Sequence, residues 1–251
     1  MERGSGWLLA SCGIAGPVLF TAAWVAGSLL QTGHPAGSVQ LSGLAAMDAR
    51  DPGLMMAGFA GLGACSIAFG AALRRLRPAG SAGPWLVTVA GAATVAAGLF
   101  RRDHLLLTGP GFTGESWHNQ VHDVVSGVAY AAMIAAPLAL AHSFRADPDW
   151  AGLRRPLQAL ALASAAALAL FASGAVQPQN AIVQRAVVTL PLAAEVLIAA
   201  RLLAAWRRAS PGRRARFSRA SPGVHLSATN RAGLGRGGGV RTSRVRPNPW
   251  R

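Results

Sequence analysis

Two histidines one helical turn apart could present both rings to one metal ion. His118 and His122 are four positions apart, and residues at that spacing in a helix share a face, about 5–6 Å apart at Cβ. Asp103 could add a carboxylate. Two histidines, a carboxylate and an open position are typical of a catalytic zinc site, where the metal activates a water molecule. The spacing therefore predicts a divalent metal site, such as zinc, on these three residues, with Asp123 as a base or as the group that orients an imidazole.

The same four side chains allow two other interpretations. The HxxxH pattern lacks the internal Glu that makes the metalloprotease helix motif specific. Histidine also collects at membrane interfaces, because its polar tip sits on an apolar body. Helix capping with interfacial hydrogen bonding is therefore one alternative to metal or acid–base catalysis, and recognition of a lipid-like ligand is another. The catalytic interpretation predicts a membrane-embedded hydrolase that acts on such a ligand.

A carboxyl group, Glu195, falls near the middle of the last apolar segment. A carboxylate there costs about 2.5–3.5 kcal/mol on insertion scales unless it is paired or protonated. Such a residue is expected to face the interior of a helix bundle and to mark a site, which predicts a small-solute or proton-coupled carrier or sensor. The alternative is a protonated carboxyl that hydrogen-bonds a backbone carbonyl freed by Pro191.

Three more polar residues are candidates for ligand binding. Gln184 and Arg185 would form a polar lip before the last apolar segment, and His34 lies in the first long loop. The lip could close the same pocket as the histidine cluster. In the first loop, residues 39–47 are mildly apolar and are expected to lie along the membrane interface as a short helix.

The elements that must position these residues are six apolar segments. Only 13% of the residues are charged, against about 25% in soluble domains, which argues against a soluble enzyme, a disordered protein and a disulfide scaffold. A helix needs about 20 apolar residues to cross the hydrocarbon core. We therefore predict an all-α polytopic integral membrane bundle of six transmembrane helices in residues 1–206. The spans are predicted at 7–30, 54–73, 84–100, 121–142, 156–176 and 185–206.

The arginines predict how this bundle is oriented. All 24 basic residues are Arg, and alternating the six spans places only Arg50, Arg101, Arg102 and Arg185 on one side of the membrane. The other twenty share the opposite side with both termini. Because basic residues collect on the cytoplasmic side, we expect a multi-pass protein of the cell membrane with both termini cytoplasmic. The histidine cluster is then extracytoplasmic.

Residues 207–251 have a different composition from the bundle. They contain twelve Arg and no acidic residue, together with many Gly, Pro and Ser. Such a segment cannot bury enough apolar area to fold, so a disordered cytoplasmic tail is predicted. Beside a membrane it would attract anionic lipid head groups by about 1 kcal/mol per Arg. No specific nucleic-acid binding is expected, because aromatic residues are not interleaved with the basic ones. A non-catalytic structural protein that docks through this tail and the bundle is a third functional class.

Short motifs resemble a known family. They are GLFRRD at residues 98–103, WHNQVHD at 117–123, QR at 184–185, and His34-Pro35 with Ser38 in the first loop. Over residues 7–206 the chain resembles the bacterial and archaeal membrane proteins grouped as domain of unknown function 998. The resemblance implies six spans and an external polar cluster, and it implies no settled activity.

Overall fold

A computed structural model describes residues 3–35, 37–76, 82–106, 116–145, 147–176 and 179–209 of the chain. Two short 3₁₀ helices, Gly43–Ala45 and Ala151–Leu153, occur in these ranges, and no strand does. The chain divides into two compact units, Met1–Leu203 and Ala204–Arg251; of the second, only residues 204–209 are described, as the last turns of a helix. The long helices are α1 (Arg3–Leu30), α2 (Pro52–Leu76), α3 (Ala82–Leu99), α4 (Trp117–Phe144), α5 (Arg154–Ser173) and α6 (Asn180–Ala209).

All six helices are long and apolar enough to cross a membrane. The helix is the natural form for such segments, since it satisfies every backbone polar group within the segment where lipid offers no partner. The prediction of an all-α protein with six spans is confirmed. The predicted disordered tail lies outside the described residues, apart from 207–209.

All six helices begin earlier than hydropathy predicts, and the starts of the fourth and the sixth bear on the candidate site. The fourth begins at Trp117 and the sixth at Asn180, where the apolar runs predict 121 and 185. Polar residues can continue the helical hydrogen-bond ladder past the stretch that crosses the hydrocarbon, and Ser116 caps α4 with its side chain. The histidine pair therefore lies within α4, and the polar pair at 184–185 lies within α6.

Glycines allow α2 and α3 to approach at backbone distance. A Cβ atom added to Gly63 would lie 2.5 Å from the carbonyl oxygen of Gly91, and one added to Gly91 would lie 2.6 Å from the carbonyl oxygen of Gly63. Real side chains do not tolerate such separations, so only glycine fits at both positions. Small residues are the usual means by which helices approach closely in lipid.

The first loop, between α1 and α2, enters the end of the bundle. Its residues 39–46, called the plug below, are all buried, and Leu41 and Leu44 are at most 2% exposed. They belong to the same apolar cluster as Phe20, Met55 and Leu62 of α1 and α2. The expectation of a short helix along the interface is wrong. The apolar side chains of this segment pack inside the bundle, where they are better shielded from water than at the interface, and within it only Gly43–Ala45 is helical.

Candidate functional site

Two consecutive arginines after α3 hold the plug in place. The Arg101 guanidinium donates from Nε to the carbonyl oxygen of Ala45 (3.0 Å) and from Nη2 to that of Ala46 (2.9 Å). The neighbouring Arg102 is 7% exposed, and its Nη1 donates to Gln40 Oε1 (3.2 Å) and Ser42 Oγ (3.5 Å). These bonds satisfy plug carbonyls and side chains that water does not reach.

Gln184 and Arg185 of α6 hold the plug from the other side. Gln184 Oε1 accepts the backbone N–H of Leu41 at 2.7 Å, and its Nε2 donates to the Tyr130 hydroxyl at 3.0 Å. Arg185 Nη2 donates to the Val39 carbonyl oxygen at 3.1 Å. Both residues were predicted to bind a ligand; the structure shows them bound to the plug.

Asp103 binds Ser116, the N-cap residue of α4. Its Oδ2 accepts the backbone N–H of Ser116 at 2.7 Å and its Oδ1 accepts the Ser116 hydroxyl at 2.6 Å. The Ser116 Oγ in turn accepts the N–H of Asn119, the N-cap bond of α4. The hydroxyl of Ser116, and then its N–H, favour the charged carboxylate and lower the pKa of Asp103 below its ordinary value.

His122 lies inside the bundle and binds the end of α3. It is 2% exposed, and its Nδ1 lies 2.9 Å from the carbonyl oxygen of Ala97 and 2.7 Å from that of Phe100. Two acceptors around one ring nitrogen require that this nitrogen carries the proton. The following residue, Asp123, accepts from Asn119 Nδ2 at 3.2 Å and lies 3.8 Å from Arg102 Nη2.

Two of the three predicted metal ligands, Asp103 and His122, are hydrogen-bonded to other groups. Both Asp103 oxygens bind Ser116, the ring of His118 stacks on Trp117 with centroids 3.8 Å apart, and His34 is exposed in the first loop. Within the described ranges, no three His, Cys, Asp or Glu side chains come together in a way that could hold a metal ion. Asp103 contributes to the cap of α4 and His122 binds the end of α3. The Nδ1 atom of His118 is buried and has no hydrogen-bond partner among the described residues.

Glu195 lies in a different part of the bundle, against α2. The Ser66 hydroxyl is 3.2 Å from Glu195 Oε1 and 3.3 Å from Oε2, so the partner found is a side chain of another helix rather than a carbonyl freed by Pro191. The Cys65 thiol of α2 interacts electrostatically with Glu195 and also with Cys12 of α1. No ion pair to Glu195 is found in the described part of the chain.

Glu195 lines a cavity of about 30 Å³, the inner cavity below. Helices α2, α3, α4 and α6 form its walls, with Ser66 beside the carboxyl and Pro137 and Pro191 close by. The volume suffices for one or two water molecules. A second cavity of about 30 Å³, the outer cavity, lies towards the plug and is lined by the hydroxyl-bearing Ser42 and Tyr130.

The family profile described as "Protein of unknown function (DUF998)" matches residues 14–206. The chain belongs to the DUF998 family. The resemblance seen in the short motifs is thereby confirmed. Neither the curated proteins nor the solved structures contain a match to this DUF998 protein.

In this DUF998 protein two of the short motifs bind the plug. GLFRRD contributes both arginines that bind it, and QR contributes the two α6 residues. WHNQVHD contributes Asn119 and Asp123, which contact Arg102 and not the plug. Sequence reasoning placed these motifs at one end of the bundle and missed that GLFRRD and QR share the first loop as their partner. The missed partners include Gln40, Ser42 and Tyr130; their signal is a polar group inside or beside an apolar run.

Ser66 and Ser116 were also missed, and each has a sequence signal. Ser116 precedes the apolar run of α4, the position at which an N-cap serine is expected. Ser66 is the one hydroxyl-bearing residue of α2. Only the packing of α2 against α6 shows that it faces Glu195.

Proposed function

We propose that this protein is a proton-coupled carrier or sensor, in which Glu195 takes up and releases a proton inside the membrane. The observation that carries the proposal is the placement of this carboxyl group. It lines a cavity among four helices, hydrogen-bonds one serine, and has no counter-ion within the described part of the chain. An ionisable residue at this depth is expensive to retain, and groups of this kind serve proton relays and ion pathways in membrane proteins.

Ser66 suits both protonation states of Glu195. A hydroxyl group both donates and accepts, so the Ser66 O–H can donate to the carboxylate, and its oxygen can accept the proton of the carboxylic acid. The two distances, 3.2 and 3.3 Å, leave either carboxyl oxygen available for this exchange. Water in the inner cavity would complete the hydrogen bonds that Ser66 leaves open.

Two helix prolines beside Glu195 support a moving part. Pro137 of α4 and Pro191 of α6 both line the inner cavity, and a proline inside a helix removes one hydrogen bond and bends the helix. A bend is a place where a helix can change its angle at small cost. Proton uptake by Glu195 beside these two prolines can therefore change the angle of α4 or α6.

Infrared spectroscopy of the full chain in lipid nanodiscs tests the proton-binding step. We expect a C=O band of a protonated carboxyl that loses intensity between mildly acidic and mildly alkaline pH. This band should be absent in Glu195→Gln and present in Asp149→Asn, a matched control at an exposed carboxyl. A spectrum in which Glu195→Gln removes no titrating band would contradict the proposal.

Coupling to a solute is tested in inverted membrane vesicles, with a pH-sensitive dye that reports the proton gradient across the vesicle membrane. A panel of small amines, amino acids and sugars is added after a proton gradient is formed. We expect one class to discharge the gradient in wild type and not in Glu195→Gln. No discharge by any class would leave proton sensing, which the infrared band tests, as the function.

The orientation and the tail belong to the same proposal. We infer a multi-pass protein of the cell membrane with the plug end outside and both termini in the cytoplasm, on the strength of the arginine distribution. The basic tail would then contact anionic head groups of the inner leaflet. A C-terminal reporter that is active only in the cytoplasm tests the orientation, and vesicle binding by the 207–251 peptide tests the contact. Metal binding and hydrolase activity at the histidine cluster stay predictions that no observation here favours.

A further inference from the structure

The inner and outer cavities are stacked along one axis between the same helices. On α4, Ser126 and Tyr130 line the outer cavity and Pro137 the inner one. On α6, Val188 lines the outer cavity and Glu195 the inner one. These positions follow each other at intervals of four or seven, so each helix turns one continuous face to both cavities.

Met133 is the residue that lines both cavities. It lies one turn from Tyr130 on one side and one turn from Pro137 on the other. Its side chain is partly buried and packs against the apolar cluster that contains the plug residues. A thioether chain with three rotatable bonds fills irregular gaps and changes rotamer easily.

The outer cavity brings polar groups to the plug end of this axis. Ser42 of the plug, Thr94 of α3, Ser126 and Tyr130 each place a hydroxyl-bearing side chain in its wall. Tyr130 accepts a hydrogen bond from Gln184, which leaves its own proton free to be donated. Ser42 also contacts Arg102, which joins the network that holds the plug.

We propose that protons reach Glu195 from the plug end of the bundle through the two cavities, and that the Met133 side chain is the gate between them. The inference rests on the proposed proton uptake by Glu195 and adds the direction and the control of access. With Met133 in place, the hydroxyl groups of the outer cavity and the Glu195–Ser66 pair are separate. A rotamer change of Met133 joins the two spaces, so that water can form one hydrogen-bonded chain to the carboxyl.

The rate of hydrogen–deuterium exchange at the Glu195 carboxyl tests the gate. The full chain in nanodiscs is transferred to deuterated buffer at a pH where its infrared band is present, and the isotope shift of the band lost in Glu195→Gln is followed. We expect Met133→Ala to speed the exchange about tenfold, equivalent to about 1.4 kcal/mol in the barrier. Met133→Leu keeps the volume but loses the flexible end of the chain, and we expect it to slow the exchange. Met56→Ala, a partly buried methionine that lines neither cavity, is the matched control and should leave the rate unchanged.

The outcomes distinguish the gate at Met133 from the proton uptake by Glu195 on which it rests. If Glu195→Gln removes no titrating band, proton uptake and the gate are both overturned. If the band is present and titrates, but Met133→Ala and Met133→Leu exchange at the wild-type rate, Glu195 keeps its role and the route past Met133 is overturned. Should Met133→Ala fail to fold, the slower exchange expected for Met133→Leu still decides the question.

Discussion

Replacing Arg102 with methionine should loosen the plug and destabilise the whole bundle. Methionine keeps much of the apolar volume and removes the charge and every donor. The change strands two buried acceptors, on Gln40 and Ser42, at 6% and 5% exposure. It also removes one of the two donors to the buried Asn119 Oδ1, which keeps the N–H of Asp103. A buried acceptor left without its donor costs about 1–3 kcal/mol.

These hydrogen bonds are long, so each is expected to contribute less than that range. The three hydrogen bonds are 3.2, 3.5 and 3.4 Å long, and side-chain hydrogen bonds in membrane proteins average about 0.6 kcal/mol. The ion pair to Asp123 adds at most about 1 kcal/mol, because that carboxylate is 47% exposed and screened. The loss should therefore be about 2–3 kcal/mol in the free energy of unfolding, or about 4–12 °C in midpoint for a chain of this size.

Thermal unfolding in mild detergent, followed by tryptophan fluorescence, measures this loss. Arg75→Met, at an exposed arginine near the end of α2, is the control and should stay within about 0.5 kcal/mol of wild type. A second readout reports the plug alone: Ala46→Cys, in a chain with Cys12 and Cys65 replaced by Ser, should react faster with a membrane-impermeant maleimide when Arg102 is replaced. If Arg102→Met unfolds like Arg75→Met and leaves the Ala46→Cys reaction unchanged, Arg102 does not hold the plug.

Three further substitutions test other contacts. Gly63→Ala forces apart the α2 and α3 backbones and should cost about 1–3 kcal/mol in thermal unfolding, whereas Gly61→Ala, with nothing within 4 Å of the new Cβ, should be neutral or stabilising; equal effects would contradict the close approach. Ser116→Ala removes the α4 cap at a cost of about 1 kcal/mol. Because Ser116 lowers the pKa of Asp103, that contribution is present above the unfolded pKa of about 3.9 and is lost as pH falls through the folded value. Midpoints measured towards acid pH should thus fall less steeply in Ser116→Ala than in wild type, and parallel curves would refute the coupling. Gln184→Leu strands the Leu41 N–H and should also speed the maleimide reaction of Ala46→Cys, with Gln120→Leu at an exposed position of α4 as its control.

The six helices could be predicted from the sequence because each needs only its own apolar length. Burial in lipid is a property of one segment, and it appears in a window of about 20 residues without knowledge of the others. The polar ends of α4 and α6 were missed for the same reason: hydropathy marks the part of a helix in hydrocarbon and not the turns beyond it. The sequence indicates Ser116 as the N-cap only when α4 is taken to begin at Trp117.

The site could be predicted only as a collection of residue types. His118 and His122 have the spacing of metal ligands, but the direction of the His122 ring is set by Ala97 of α3 and by Phe100 just after that helix. Arg102 and Gln184 have the chemistry of ligand binders, and the group that they bind is 60 to 143 residues away in the same chain. Spacing along one helix cannot reveal a partner that only the tertiary fold supplies.

The long separation between the plug and its anchors gives synthesis a fixed order. The first loop leaves the ribosome well before α6. The hydrogen-bond partner of Leu41, Gln184, follows 143 residues later, and the partner of Val39, Arg185, follows 146 residues later. Since chains insert from the N-terminus onwards, the nascent protein passes through a stage in which five spans are made and the mouth of the bundle is unsealed. The plug can therefore make these two contacts only after α6 has been synthesised, and a maleimide added to an Ala46→Cys chain can distinguish a finished molecule from an arrested one.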